Sequence, residues 1–266
     1  VGPLSKLRGS MSLILAAKLA LTTDPPRYLE GTIAAFNQLN GAKFGASDHS
    51  LIAAHLIALR TEPAAYPLAV ERTRAFYNGL KANHSLLTDK DDLIVAALLA
   101  LSDVDVQLGV NRIEEIFTQL RDSFGTNGGT LLLAETLTLG GAGSEAVNRA
   151  LALREAVRAA KVRVDKSPTT PLLGVFALLP VAPEVVANDI AEARDFLKAQ
   201  RGFGALSMDG TERLGLAAAM VLDAYAGKDP IVAPALAAVI AGVIAAQALV
   251  ILTTIMATNA ATAASS

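Results

Sequence analysis

Apolar positions gather into one short segment that returns six times along the chain, at a spacing of about 40 residues. The copies run Ser12–Leu21 (SLILAAKLAL), Ser50–Leu59 (SLIAAHLIAL), Asp92–Leu101 (DLIVAALLAL), Thr130–Leu139 (TLLLAETLTL), Thr170–Leu179 (TPLLGVFALL) and, more loosely, Arg213–Leu222 (RLGLAAAMVL). Each is apolar nearly all round, which predicts an inner helix covered on several sides. The segments between copies are different. In the third unit Leu108, Ile113, Ile116, Phe117 and Leu120 predict an apolar stripe, opposite a wet face of Arg112, Glu114, Glu115, Arg121 and Asp122. Residues 144–161 and 183–203 repeat the scheme, so each unit is predicted as a helical hairpin: an inner first helix, then an amphipathic second one.

The punctuation recurs with the helices. Ser47, Thr88, Thr126, Ser167 and Asp209 precede the inner segments and predict N-caps, side chains that accept from the free amides of a first turn. Thr88 with Asp91 and Asp209 with Glu212 have capping-box spacing. The second helices are predicted to open at Asp24 with Pro25, Thr61 near Pro63, Ser144, Pro183, and Asp229 with Pro230. The fold class that follows is all-α, about six helical hairpins in an α/α toroid or, second, an open α-solenoid. Closure is favoured because an open array needs polar capping repeats, and the last unit is apolar. One helical-repeat domain is expected over 1–262, followed by a short tail, 263–266.

Composition narrows the chemistry. Just over half of the 266 residues are apolar and 18% are charged, enough for a core and unlike a disordered chain. A net charge of −2 without a Lys/Arg cluster argues against nucleic acid as a partner. With no cysteine, thiolate catalysis and cysteine metal sites drop out. The N-terminal apolar run is interrupted by Lys18 and aligns with later copies, so it reads as a helix of the fold and a cytoplasmic location is expected. From Ile231 to Met256 there is no charge, over a length of about 39 Å as a helix. That segment is read as buried in the fold or in a homo-oligomer interface, with a membrane tail anchor as the alternative.

Three sets of residues carry possible chemistry. Lys18, His55 and Glu135 fall at nearly the same point of three inner segments and can converge on a central pocket as cation, base and acid. Alternatively they satisfy one another, or Lys18 extends outward along its apolar stem. His84, Asp89, Asp91 and Asp92 can ligate a divalent cation, whereas the same carboxylates at a helix start complement its positive end. The glycines of GTNGG (125–129) and LGGAG (139–143) lack P-loop spacing and read as turns. Tyr28, Tyr66, Tyr77 and Tyr225 are scattered and suit core or groove positions. No cofactor motif is present.

The stretch Leu80–Ala100, LKANHSLLTDKDDLIVAALLA, resembles the best-preserved segment of a bacterial family of all-helical proteins, the domain of unknown function numbered 4003. The matching residues are His84, Leu87, Thr88, Asp91, Asp92, Leu98, Leu99 and Ala100, and the similarity extends across most of the chain. The resemblance implies a bacterial origin and a helical fold, and it supplies no catalytic residues. The function expected is a binding or structural scaffold with a protein or small-molecule partner. The alternative is a toroid enzyme or small-ligand binder with a central polar pocket.

Overall fold

The computed structural model describes residues 22–226, apart from 91, 142, 167, 168 and 205–207, together with 15, 16, 19 and 20. Lys18, Asp91, Ser167 and the uncharged segment 231–256 therefore lie outside the described residues. Within them are ten α-helices and no strand. In chain order they are α1 (Pro25–Gly41), α2 (Asp48–Arg60), α3 (Tyr66–Asn83), α4 (Asp92–Ala100), α5 (Val106–Phe124), α6 (Gly128–Leu139), α7 (Ser144–Ala159), α8 (Thr170–Ala177), α9 (Pro183–Ala199) and α10 (Gly210–Ala226). A 3₁₀ turn at Pro63–Ala65 leads into α3. None of these helices is long and apolar enough to cross a membrane.

Burial divides the helices into the two predicted kinds. Every residue of α4 and of α8 is buried, as are Ser50 to Ala58 of α2. A helix of nine residues is marginal on its own, so burial of Leu93, Ile94, Val95, Leu98 and Leu99, at about 1.5–3 kcal/mol each, is what holds α4. The other kind buries one stripe: Tyr66, Ala69, Val70, Thr73, Phe76 and Leu80 in α3, or Val147, Ala150, Leu153 and Val157 in α7. Helix α5 follows suit with Val110, Ile113, Ile116, Phe117 and Leu120. Leu108 does not join that stripe and is 69% exposed. Its amide donates to the Asp105 carboxylate at 3.0 Å, which sets it in the first turn, on the outward side.

The described chain falls into two compact units, one up to Val110 and one from Asn111 on. In the first, α2 lies beside α4 and α1 beside α3, giving an inner and an outer layer. In the second, α6 lies beside α8, and α7 beside α9. The inner helices of the second unit approach closely because residue 174 is glycine: a Cβ there would meet Leu133 Cδ1 at 2.9 Å and Thr136 Cγ2 at 3.0 Å. Outer helices pack on the inner helix that follows them in sequence rather than on the one before: α1 on α2, α3 on α4, α7 on α8, α9 on α10. The packed hairpin is thus outer-then-inner, one helix out of phase with the reading from apolar segments.

Several caps stand where the sequence puts them. Asp24 accepts from the Arg27 amide, Ser47 and Ser50 form a reciprocal capping box, and Asp209 accepts from Thr211 while its own amide donates to Glu212. Others are displaced. Asn127, rather than Thr126, caps α6 through an acceptor bond from the Thr130 amide, and Gly143 rather than Ser144 sits at the cap of α7. Before α4 the carboxylate of Asp92 accepts the Asp89 amide at 2.6 Å, one residue along from the Thr88/Asp91 pairing, and Thr88 Oγ1 is buried without a hydrogen bond among the described residues. Gly125 and Gly141 adopt positive φ, as turn glycines do.

A link that the apolar pattern does not show fastens the outer helix to the end of the inner helix that follows it, in α3–α4 and again in α7–α8. Arg72 of α3 reaches past the end of α4, donating from Nε to the carbonyl of Ala100 at 2.9 Å and from one terminal nitrogen to those of Ser102 and Val104 at 3.2 and 2.8 Å. Arg149 of α7 repeats this on α8, with Nε on Ala177 at 3.1 Å and a terminal nitrogen on Leu179 and Val181. Three carbonyls left open at a helix end are satisfied by one planar cation, which also opposes the negative end of the helix. Thr32, Arg72, Arg112, Arg149 and Asp189 follow one another at 40, 40, 37 and 40 residues, so they share a register position. Thr32 meets His55 of α2 and Asp189 accepts from the Tyr225 hydroxyl of α10, again outer helix to following inner helix.

Candidate functional site

Of the three residues expected around a central pocket, His55 has the clearest geometry. It sits on the fully buried α2 and is itself 4% exposed. Its Nδ1 lies 3.1 Å from Thr32 Oγ1, and that hydroxyl is also 2.6 Å from the Tyr28 carbonyl one turn back. A hydroxyl has one proton. The carbonyl can only accept, so the Thr32 proton goes to it and the Nδ1–H of His55 donates to Thr32 Oγ1. In the neutral ring this leaves Nε2 as the acceptor. Glu135 occupies the middle of α6, fully buried, in the other compact unit.

The acidic segment is built as a helix junction. His84 ends α3, with its amide on the Leu80 carbonyl at 2.8 Å and its own carbonyl accepting from the amides of Leu87 and Thr88. Asp92 is 1% exposed and takes the Asp89 amide. Burial raises the Tyr77 phenol above its ordinary range, and the carboxylates of Asp92 and Asp89 push the same way. Tyr77 packs edge-on against Phe44 at 5.4 Å, with the Lys81 ammonium 5.9 Å from its ring. No group of three or more His, Asp and Glu able to hold a metal ion occurs among the described residues.

A second buried carboxylate has an electrostatic role. Asp165 lies in the turn before α8 and accepts from Arg158 at 2.5 Å and Arg163 at 2.9 Å. Burial alone would raise its pKa, but the two guanidinium hydrogen bonds outweigh that and hold it below the usual carboxylate range.

What the sequence reading missed is a cavity of about 230 Å³ in the first unit. Arg27, Tyr28, Glu30 and Gly31 reach it from one face of α1, Ala58 from α2, and Tyr66 from the start of α3. Positions 27, 30, 31 and 34 share a helical face, so the α1 contribution follows from spacing alone. That Tyr28 and Tyr66 meet there does not, because it depends on how α1 crosses α3. Gly31 makes room: a Cβ at that position would lie 2.5 Å from the Tyr66 hydroxyl oxygen and 3.3 Å from Ala58 Cβ. The cavity is smaller than the roughly 300–1,000 Å³ of drug-sized ligand sites, and it suits a compact molecule.

No curated protein and no solved structure matches the chain. A family model does: the one described as "Protein of unknown function (DUF4003)" covers residues 1–249, the segment around His84, Thr88 and Asp92 included. The chain belongs to this family of helical proteins.

Proposed function

We propose that the protein is a binding or structural scaffold, a stack of helical hairpins whose rigidity presents surfaces to a partner. The observation that supports this is the repeated link that locks the two helices of a hairpin together. At Arg72 and Arg149 a cationic side chain that could have served chemistry is instead used, at matching positions, to fasten the outer helix of a hairpin to the end of its inner helix. Such fastening favours a defined array over a deformable one. Closure of about six hairpins into a toroid, with a cytoplasmic location, completes the reading. Its support is the apolar character of the last repeat copy, which contrasts with the polar caps of open arrays.

The test is in-cell cross-linking of the full chain followed by native mass spectrometry of the purified complexes. A scaffold gives discrete, stoichiometric assemblies with another protein or with further copies of itself. A chain that stays alone, while a metabolite extract incubated with it loses one component and gains another, would favour the enzyme alternative centred on Lys18, His55 and Glu135.

A further inference from the structure

The cavity beneath α1 holds an unusual pair of groups. Tyr66 is 3% exposed, yet its hydroxyl makes no hydrogen bond among the described residues, and it stands against Gly31 at the cavity wall. The hydroxyl therefore faces the cavity with its hydrogen-bonding capacity open to whatever enters. Glu30, on the same wall, forms no ion pair among the described residues. The one cation of the lining, Arg27, is held by Glu62, with one guanidinium nitrogen 2.9 and 3.0 Å from the two carboxylate oxygens. The charge left uncompensated at the cavity is therefore negative.

We propose that this cavity binds a small organic ammonium ion that carries a hydroxyl or similar polar group. Glu30 pairs with the cationic head, and the phenol side chains of Tyr28 and Tyr66 line the space it enters. Aromatic rings beside a carboxylate are a favourable setting for an ammonium group. The polar end of the ligand supplies the hydrogen bond that the Tyr66 hydroxyl lacks. Gly31 is the residue that keeps the space open, since a methyl there collides with the Tyr66 oxygen. An anionic ligand fits less well, because it would have to displace Glu62 from Arg27 beside the charge of Glu30. This site is independent of the scaffold reading: it lies within one unit, uses none of the linking residues, and can fail or hold without it.

The experiment is isothermal titration of the full chain with choline, with its neutral isostere 3,3-dimethylbutan-1-ol, and with acetate. Choline is expected to bind with a Kd on the order of 0.1–1 mM, consistent with so small a ligand. The isostere should bind at least about tenfold more weakly, since it lacks the charge that Glu30 pairs with. Glu30→Gln should weaken choline by about tenfold and Tyr66→Phe by about fivefold, with unchanged circular dichroism. Gly31→Ala should abolish binding, and if that variant fails to fold the other two still decide. Equal binding of choline and its isostere, no binding of choline at tens of millimolar, or insensitivity to Glu30→Gln would each overturn the proposal. So would acetate binding that is lost in Arg27→Ala, which would mark an anion site.

Discussion

Replacing Arg72 by Ala removes three hydrogen bonds from the carbonyls of Ala100, Ser102 and Val104 while leaving the apolar stripe of α3 intact. A hydrogen bond from a charged donor contributes about 1.5–3 kcal/mol, and the arginine also faces the negative end of α4, at about 0.3–1 kcal/mol. Arg72 is half-buried, so water recovers part of the loss at each carbonyl. A net destabilisation of about 3 kcal/mol is expected. Arg72→Lys keeps the charge but lacks the planar fork, and should recover only about 1 kcal/mol of it. The control is Arg74→Ala on the same helix, an exposed position expected to change stability by less than about 0.5 kcal/mol. Urea unfolding of the full chain, followed by far-ultraviolet circular dichroism, measures all three. Hydrogen exchange at 100–106 should quicken selectively in Arg72→Ala. If that variant costs under about 1 kcal/mol, or Lys substitutes fully, the carbonyl clamp is not what fastens α4 and a general charge effect explains the contact.

Three further outcomes are expected. Ser47→Ala removes the hydroxyl that accepts from the Ser50 amide, one half of the α2 capping box, and should cost about 1 kcal/mol in the same urea assay. Lys161 has φ 58° just after α7, so Lys161→Gly should stabilise by about 0.5–1 kcal/mol, read as a higher midpoint in thermal unfolding. Asp165→Asn should cost about 2 kcal/mol at pH 7, because two partly exposed arginines lose the buried carboxylate they share. Since the folded pKa of Asp165 is lowered, its contribution is complete above the unfolded value of about 3.9 and fades as pH falls through the folded one. The stability difference between the two proteins should therefore begin to shrink as pH falls below about 4 and close only below the folded pKa.

The sequence reading found the inner helices because total burial leaves a run of apolar residues without a polar face, as in Asp92–Ala100. It found Asp24, Ser47 and Asp209 because a cap is a local bond between residues two or three apart. Thr126 and Asn127 are both competent cap residues one position apart, and only the backbone decides which is used. The phase of the hairpins was hidden for a different reason: it depends on which neighbour an outer stripe contacts, and both neighbours are apolar. The arginine links lay outside a search for apolar repetition, although Arg72, Arg112 and Arg149 do recur with the period. The cavity at Tyr66 and Gly31 joins positions 35 residues apart, and no local pattern reports that distance in space. Glu135 and His55 were legible as buried ionisable groups, and the link of His55 to Thr32 needed the packing of α1 on α2.

The layered stacking of helices is tested most directly by disulfide trapping, because the chain has no cysteine of its own. A Cβ at Gly79 of α3 would lie 3.6 Å from Val110 Cβ in α5, within the separation of about 3.5–4.5 Å that a disulfide requires. The pair Gly79→Cys with Val110→Cys should oxidise in the folded chain, detected as a loss of two hydrogens by intact mass and a faster non-reducing gel band. If both thiols stay reduced in a chain that remains folded and helical, the start of α5 does not lie against α3 and the helix packing described here is wrong.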